Sequence, residues 1–140
     1  MVKKGDILII EDDSDDREYI EEVFLELNVA NERKYVSNAY DALEYIKAHS
    51  SKPFMIISDI NMPMMNGFDL RKIILENIEL TKKCSPYIFL STSGDEAWVN
   101  KAFEMSVHGY FKKPAIYTEL KATVQQILDY WNNSLTPVVH

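Results

Sequence analysis

The residues able to do chemistry sit where apolar runs stop. Met55-Ile56-Ile57-Ser58 is short and apolar, and Asp59 follows it directly. Pro63 forbids regular structure beyond, and Asn66-Gly67 marks a turn. Asp59 therefore stands at the C-terminal lip of a hydrophobic strand, where open α/β sheets bind ligands. Taken alone, such an aspartate more often only caps a turn. Three further junctions shift the balance. Ile7–Ile10 ends in Glu11-Asp12, Tyr87–Leu90 in Ser91-Thr92, and Gly109–Phe111 in Lys112-Lys113. Carboxylates gathered on one lip repel by a few kcal/mol per pair at an effective dielectric of roughly 20. A hard divalent cation answers that repulsion, and magnesium (Mg2+) takes one or two carboxylates, waters and a phosphate oxygen. With the ammonium of Lys113 and the hydroxyl of Ser91 beside it, a carboxylate can attack phosphorus and form an acyl phosphate.

These residues converge only if the elements between them cross over correctly. Ile7–Ile10, Lys34–Val36, Met55–Ser58, Tyr87–Leu90 and Gly109–Phe111 read as strands. Between them lie helical periodicities. Tyr19, Ile20, Val23, Phe24 and Leu27 follow Ser14 as N-cap and stop at Asn28. Ala39, Ala42, Leu43 and Ile46 follow the Ser37-Asn38 cap and close at His49–Pro53. Phe68–Leu75 forms a third helix, with a polar linker around Thr81-Lys82-Lys83. Asp95-Glu96 opens a fourth with Trp98 and Phe103 as packing residues, and Leu120–Trp131 forms the last. Five strands alternating with five helices predict a doubly wound parallel sheet, an α/β fold. Right-handed crossovers then turn every strand's C-terminus to one edge.

Size and charge narrow the possibilities. The 140 residues suit a single domain, 1–140, with its core at about 5–132 and a tail at 133–140. A formal charge of −7 argues against nucleic acid. One cysteine, Cys84, excludes an internal disulfide, and three scattered histidines make a zinc site improbable. No signal peptide or apolar run long enough for a bilayer is present, which points to the cytoplasm and to no membrane partner.

Taken in order, these motifs resemble the response-regulator receiver domains of two-component signalling, the CheY-like family with its flavodoxin-like (βα)5 fold. The resemblance covers about Gly5 to Asn132. It implies Asp59 as phosphoacceptor, with Lys113 and Ser91 assisting. It implies Glu11, Asp12, Asp59 and the backbone carbonyl of Asn61 around Mg2+, with Asp12 a direct ligand. Met62-Pro63 and Gly67 match the loop after the phosphoacceptor. Ser91 and Tyr110 match the switch pair, and Lys113-Pro114 the lysine followed by a cis-prone proline that turns the lysine inward. Glu11 stands in for the commoner aspartate, Ser91 for threonine, and Ser106-Val107 for a frequent Gly-Ala pair. Thr92, larger than the usual neighbour of the hydroxyl, is expected to gate water from the phosphoryl group. The ending Asp129-Tyr130-Trp131 through Leu135-Thr136-Pro137, with Val107-His108, is similar to small stand-alone regulators paired with bacteriophytochrome-type kinases.

The resemblance implies a phosphorelay protein rather than an enzyme of outside substrates. A sensor histidine kinase would donate the phosphoryl group, and a downstream protein would read the change. No DNA-binding segment follows, and the apolar tail suits a homodimer. Two other functions remain open. A phosphohydrolase using an aspartyl phosphate would need a second aspartate where Asn61 stands. A receiver that only docks partners would have lost groups that are all present here. Blander readings attach to several residues. The run Glu11–Asp16 lacks the glycine and distal glutamate of a calcium loop, so Asp13, Asp15 and Asp16 read as a solvated helix start. Lys112 and His108 read as surface residues, Cys84 as a loop or strand-edge residue, and Trp131 as packing or a dimer contact.

Overall fold

The computed structural model describes residues 3–48 and 52–138. Its strands are β1 (Ile7–Ile10), β2 (Arg33–Val36), β3 (Met55–Ser58), β4 (Tyr87–Ser91) and β5 (Gly109–Lys112). They form one sheet in the order β2-β1-β3-β4-β5, every pair parallel. The helices are α1 (Ser14–Glu26), α2 (Ala39–Ala48), α3 (Gly67–Leu75), α4 (Ile78–Lys83), α5 (Glu96–Glu104) and α6 (Tyr117–Asn133). Strand side chains alternate between two cores. Leu8, Ile10, Ile56, Tyr87 and Phe89 face α2, α3, α4 and α5. Ile7, Ile9, Met55, Ile57, Ile88 and Leu90 face α1 and α6. Burial on both faces explains why β1, β3 and β4 read as unbroken apolar runs. Among the described residues no helix is long and apolar enough to cross a membrane.

The expected strands are all present, but the described residues form six helices rather than five. The stretch assigned to a polar linker is α4. Asn77 caps it by accepting from the N–H groups of Glu79 and Leu80, and Leu80 is buried beneath it. The Thr81 hydroxyl donates back to the Ile74 carbonyl at 3.0 Å and ties α4 to the end of α3. Asp13, not Ser14, caps α1: its Oδ1 accepts from Asp15 N at 2.8 Å and Asp16 N at 3.1 Å. The shorter Ser14 side chain sits one position inside the helix. Asn28 does end α1, in the left-handed region with φ 54°. The stop expected at His49–Ser51 lies outside the described residues.

Several side chains depart from their expected places. Phe103 is exposed, whereas Trp98 packs edge-on to Phe68 with ring centroids 5.8 Å apart. Cys84 is wholly buried and caps the end of α4, and burial pushes its thiol up to about 12. His108 is structural: its Nδ1 accepts the Tyr87 backbone N–H at 2.8 Å, extending the β4–β5 pairing through a side chain. Trp131 packs against its ring and against Tyr130. The cis proline bond lies at Ser85–Pro86 and not at Lys113–Pro114.

Arg71 on α3 is the largest departure from surface expectation. It is 1% exposed. Its guanidinium donates to the carbonyls of Met105 at 3.1 Å and Ser106 at 2.8 Å, and lies 5.0 Å from the centre of the Tyr87 ring. The cation thereby satisfies carbonyls that the end of α5 leaves without helical donors. Arg71→Met would fill the space and leave those carbonyls unpaired, at a cost of about 1–3 kcal/mol. We expect a lower urea midpoint with an unchanged m-value, and only partial recovery in Arg71→Lys, whose ammonium lacks the planar fork.

Candidate functional site

The register of the sheet assembles the site. Ile10 pairs with Ser58, so Glu11 and Asp59 leave adjacent strands side by side. The Asp59 N–H donates to the Ile10 carbonyl at 2.9 Å, and Glu11 N–H to Val36 at 3.0 Å, which continues the ladders one residue past each strand. One carboxylate oxygen from each of Glu11, Asp12 and Asp59 lies within 4.8 Å of the others. Glu11 is buried, Asp59 half-buried and Asp12 exposed. Asn61 is exposed at the same lip.

The loop after Asp59 is held by backbone contacts. Asp59 Oδ1 accepts from Ile60 N at 2.8 Å, and Gly67 N–H returns to the Ile60 carbonyl at 2.8 Å. A Cβ on Gly67 would lie 2.6 Å from the Asp59 carbonyl oxygen and 2.9 Å from Ile60 Cα. Only glycine lets α3 start this close to the strand end. Asn66 and Asp69 form a reciprocal cap on α3. Met62 packs against the core and Pro63 is exposed, and Met64 at the tip carries φ 69°.

Lys113 reaches inward from the residue after β5. Its N–H donates to the Ser91 carbonyl at 2.6 Å. Its ammonium binds Glu11 Oε1 at 2.5 Å and Asp16 Oδ2 at 3.2 Å. Among the described residues it makes no hydrogen bond to Asp59. It reaches the acid cluster through Glu11, and Asp16 is not the merely solvated helix acid expected from its run. Lys112 is exposed, as its position suggested. Lys113, Glu11 and Asp59 line one small hollow between β1, β3 and β4.

Ser91 is buried, and its Oγ accepts from Ser93 N at 3.2 Å. Tyr110, which pairs with Phe89 across the sheet, donates its hydroxyl to the Ser93 carbonyl at 2.6 Å. One residue, Ser93, is thus gripped from both sides by the two positions expected to act as a switch. Ser93 is invisible to a reading of residue types, because its part is played by backbone atoms. Thr92 is exposed and lines a cleft of about 630 Å³ together with Asp16, Lys113 and Tyr117.

Charge is unbalanced here. Three carboxylates within 4.8 Å repel by about 3.5 kcal/mol or more per ionised pair at an effective dielectric of roughly 20. Burial raises Glu11 to about 7, helped by the charge of Asp59 and opposed by Lys113. Burial also raises Asp59, again against the pull of Lys113. One ammonium does not neutralise the cluster. The all-oxygen donor set and the surplus negative charge fit a hard divalent cation.

The sign of the pH effect follows. Glu11 is raised above its unfolded value of 4.5, so its deprotonation works against the metal-free fold. That penalty is absent at low pH and complete once pH has risen through about 7. Glu11→Gln removes the ionisation. In chelator, the melting temperature of Glu11→Gln relative to the parent should therefore climb between about pH 5 and pH 8, by the equivalent of about 1–3 kcal/mol. A difference that is flat with pH would contradict this charge balance.

The geometry agrees with known proteins. Residues 7–125 match the response regulator receiver domain family. The crystal structure of the phosphorylated cyanobacterial phytochrome response regulator RcpA superposes with a TM-score of 0.86 at 26% identity, covering 99% of this chain and 100% of that one. The Mn(2+)-bound form of response regulator Rcp1 superposes with a TM-score of 0.83 at 25% identity, over 96% of this chain and 99% of that one. A probable chemotaxis protein CheY of Rhizobium etli is 27% identical over 91% of this chain and 95% of its own. With the five-stranded parallel sheet and the acidic lip in place, the chain belongs to the response-regulator receiver domain family of two-component signalling.

Proposed function

We propose that Asp59 accepts a phosphoryl group from the phosphohistidine of a sensor kinase. The observation that carries the reading is the meeting of Glu11, Asp12 and Asp59 within 4.8 Å, beside an ammonium buried on Glu11. A carboxylate oxygen of Asp59 attacks phosphorus, the P–N bond to the kinase histidine breaks, and its electron pair returns to the imidazole. Water later attacks the acyl phosphate, releasing inorganic phosphate and the free carboxylate. Glu11, Asp12, Asp59 and the Asn61 carbonyl would hold Mg2+, which supplies positive charge for the phosphoryl oxygens. Rcp1 with Mn(2+) shows that a relative takes a divalent ion, and the acidic lip supports the same here.

Lys113 provides the second positive charge. Ser91 donates its hydroxyl to a phosphoryl oxygen, giving up its present bond from the Ser93 N–H, and Tyr110 follows through Ser93. The surface of α5, β5 and α6 then changes, and a downstream protein reads it. The chain acts in the cytoplasm, and it hastens the gain and loss of its own phosphoryl group. The likeness to Rcp1 and RcpA supports a phytochrome-type kinase as donor. Leu135 and Val138 are exposed on the tail after α6, which supports a homodimer. A phosphohydrolase finds no support, since Asn61 stands where its second aspartate belongs.

Incubation with acetyl phosphate and magnesium should add the mass of one phosphoryl group to the parent and none to Asp59→Asn. Labelling that persists in Asp59→Asn would refute the assignment. Thr92 lines the same cleft as Lys113, and there its side chain would shield a phosphoryl group from in-line water. Thr92→Ala should shorten the lifetime of the acyl phosphate, followed by acid-quenched mass spectrometry. Equal decay in both proteins would remove the gate.

A further inference from the structure

Lys113 has three N–H donors and is 9% exposed, so its few partners decide where its charge sits. One partner, Glu11, belongs to the acid cluster. The other, Asp16, does not: it projects from the first turn of α1 and lines the 630 Å³ cleft on the outer side. Asp16 is held in place from behind, since its N–H donates to the capping carboxylate of Asp13 at 3.1 Å. Its side chain is 40% exposed and its bond to Lys113 is the longer of the two, 3.2 Å against 2.5 Å. Asp59 has no hydrogen bond from this ammonium, although it is the group whose charge grows when a phosphoryl is added.

We propose that Asp16 is a positioning residue that restrains Lys113 on the α1 side of the site and so sets how readily the ammonium can serve a phosphoryl group on Asp59. This rests on Asp59 being the phosphoacceptor. The restraint is weak by design of its surroundings: a half-exposed ion pair is screened by water and salt, so it can be exchanged for a stronger partner. Phosphoryl oxygens on Asp59 offer that partner, at the cost of breaking the Asp16 bond. No other acid of the α1 first turn has this relation. Asp15 carries the same charge one residue away and makes no hydrogen bond or ion pair with Lys113 among the described residues.

The test compares Asp16→Asn with Asp15→Asn, which makes the same change in net charge, and with Asp16→Glu. Two measurements are made on each full-length protein. The first, without metal, is the rate at which acetic anhydride acetylates Lys113, followed by peptide mass spectrometry. The second, with magnesium, is the affinity for beryllofluoride and the initial rate of labelling by acetyl phosphate. Asp16→Asn should raise Lys113 acetylation, beryllofluoride affinity and labelling rate each about two- to five-fold over Asp15→Asn. Asp16→Glu should restore parental values, and added salt should narrow the gap between Asp16→Asn and the parent. If Asp16→Asn matches Asp15→Asn in Lys113 acetylation, or matches it in beryllofluoride affinity or labelling rate while the parent does bind and become labelled, the proposal is overturned. If Lys113 acetylation responds but the parent neither binds beryllofluoride nor becomes labelled, the restraint stands and the phosphoacceptor reading fails.

Discussion

The structure is organised around a repulsion that the fold enforces. Parallel pairing of β1 with β3 places Glu11 and Asp59 beside each other, and the sheet leaves them no room to separate. Asp12 completes the cluster from the exposed side. In an ordinary protein such an arrangement would only cost stability. Here burial, with neighbouring carboxylate charge added to it, keeps the Glu11 and Asp59 carboxyls raised, and Lys113 offsets only part of that. The surplus of negative charge fits a hard dication, and the phosphoryl group proposed for Asp59 would bring oxygens that need positive neighbours.

The surrounding architecture keeps that tension from relaxing. Two cores clamp the sheet from opposite faces, so the strand ends cannot splay. Gly67 brings α3 against the Asp59 carbonyl, which fixes the loop on one side. The Lys113 N–H bonded to the Ser91 carbonyl fixes the other, and it does so across a trans Lys113–Pro114 bond. The inward aim of the lysine thus comes from strand pairing and its two carboxylate partners rather than from the isomer of the proline.

What the sequence disclosed follows from what leaves a pattern. β1, β3 and β4 are buried on both faces and show as apolar runs, and the polar residue after each run marks the sheet edge. That is why the sequence places Glu11, Asp12, Asp59, Ser91 and Lys113 on one edge of the sheet. α4 left no periodicity, because six residues with Leu80 as their buried anchor make fewer than two turns. Arg71 was hidden for the opposite reason. It sits within a clear amphipathic helix, where an arginine ordinarily marks the wet side. Asp16 and Ser93 act through partners distant in sequence or through backbone atoms, and residue type carries no trace of either.

The strap from Arg71 to the end of α5 has a mechanical meaning. The last carbonyls before β5 are bolted to α3, while the opening turn of α5 hangs from the segment containing Ser93. A rod anchored at its tail and steered at its head pivots instead of sliding. A small displacement at the hydroxyl would then swing the head of α5 most and fade along its nine residues towards Ser106, the fulcrum.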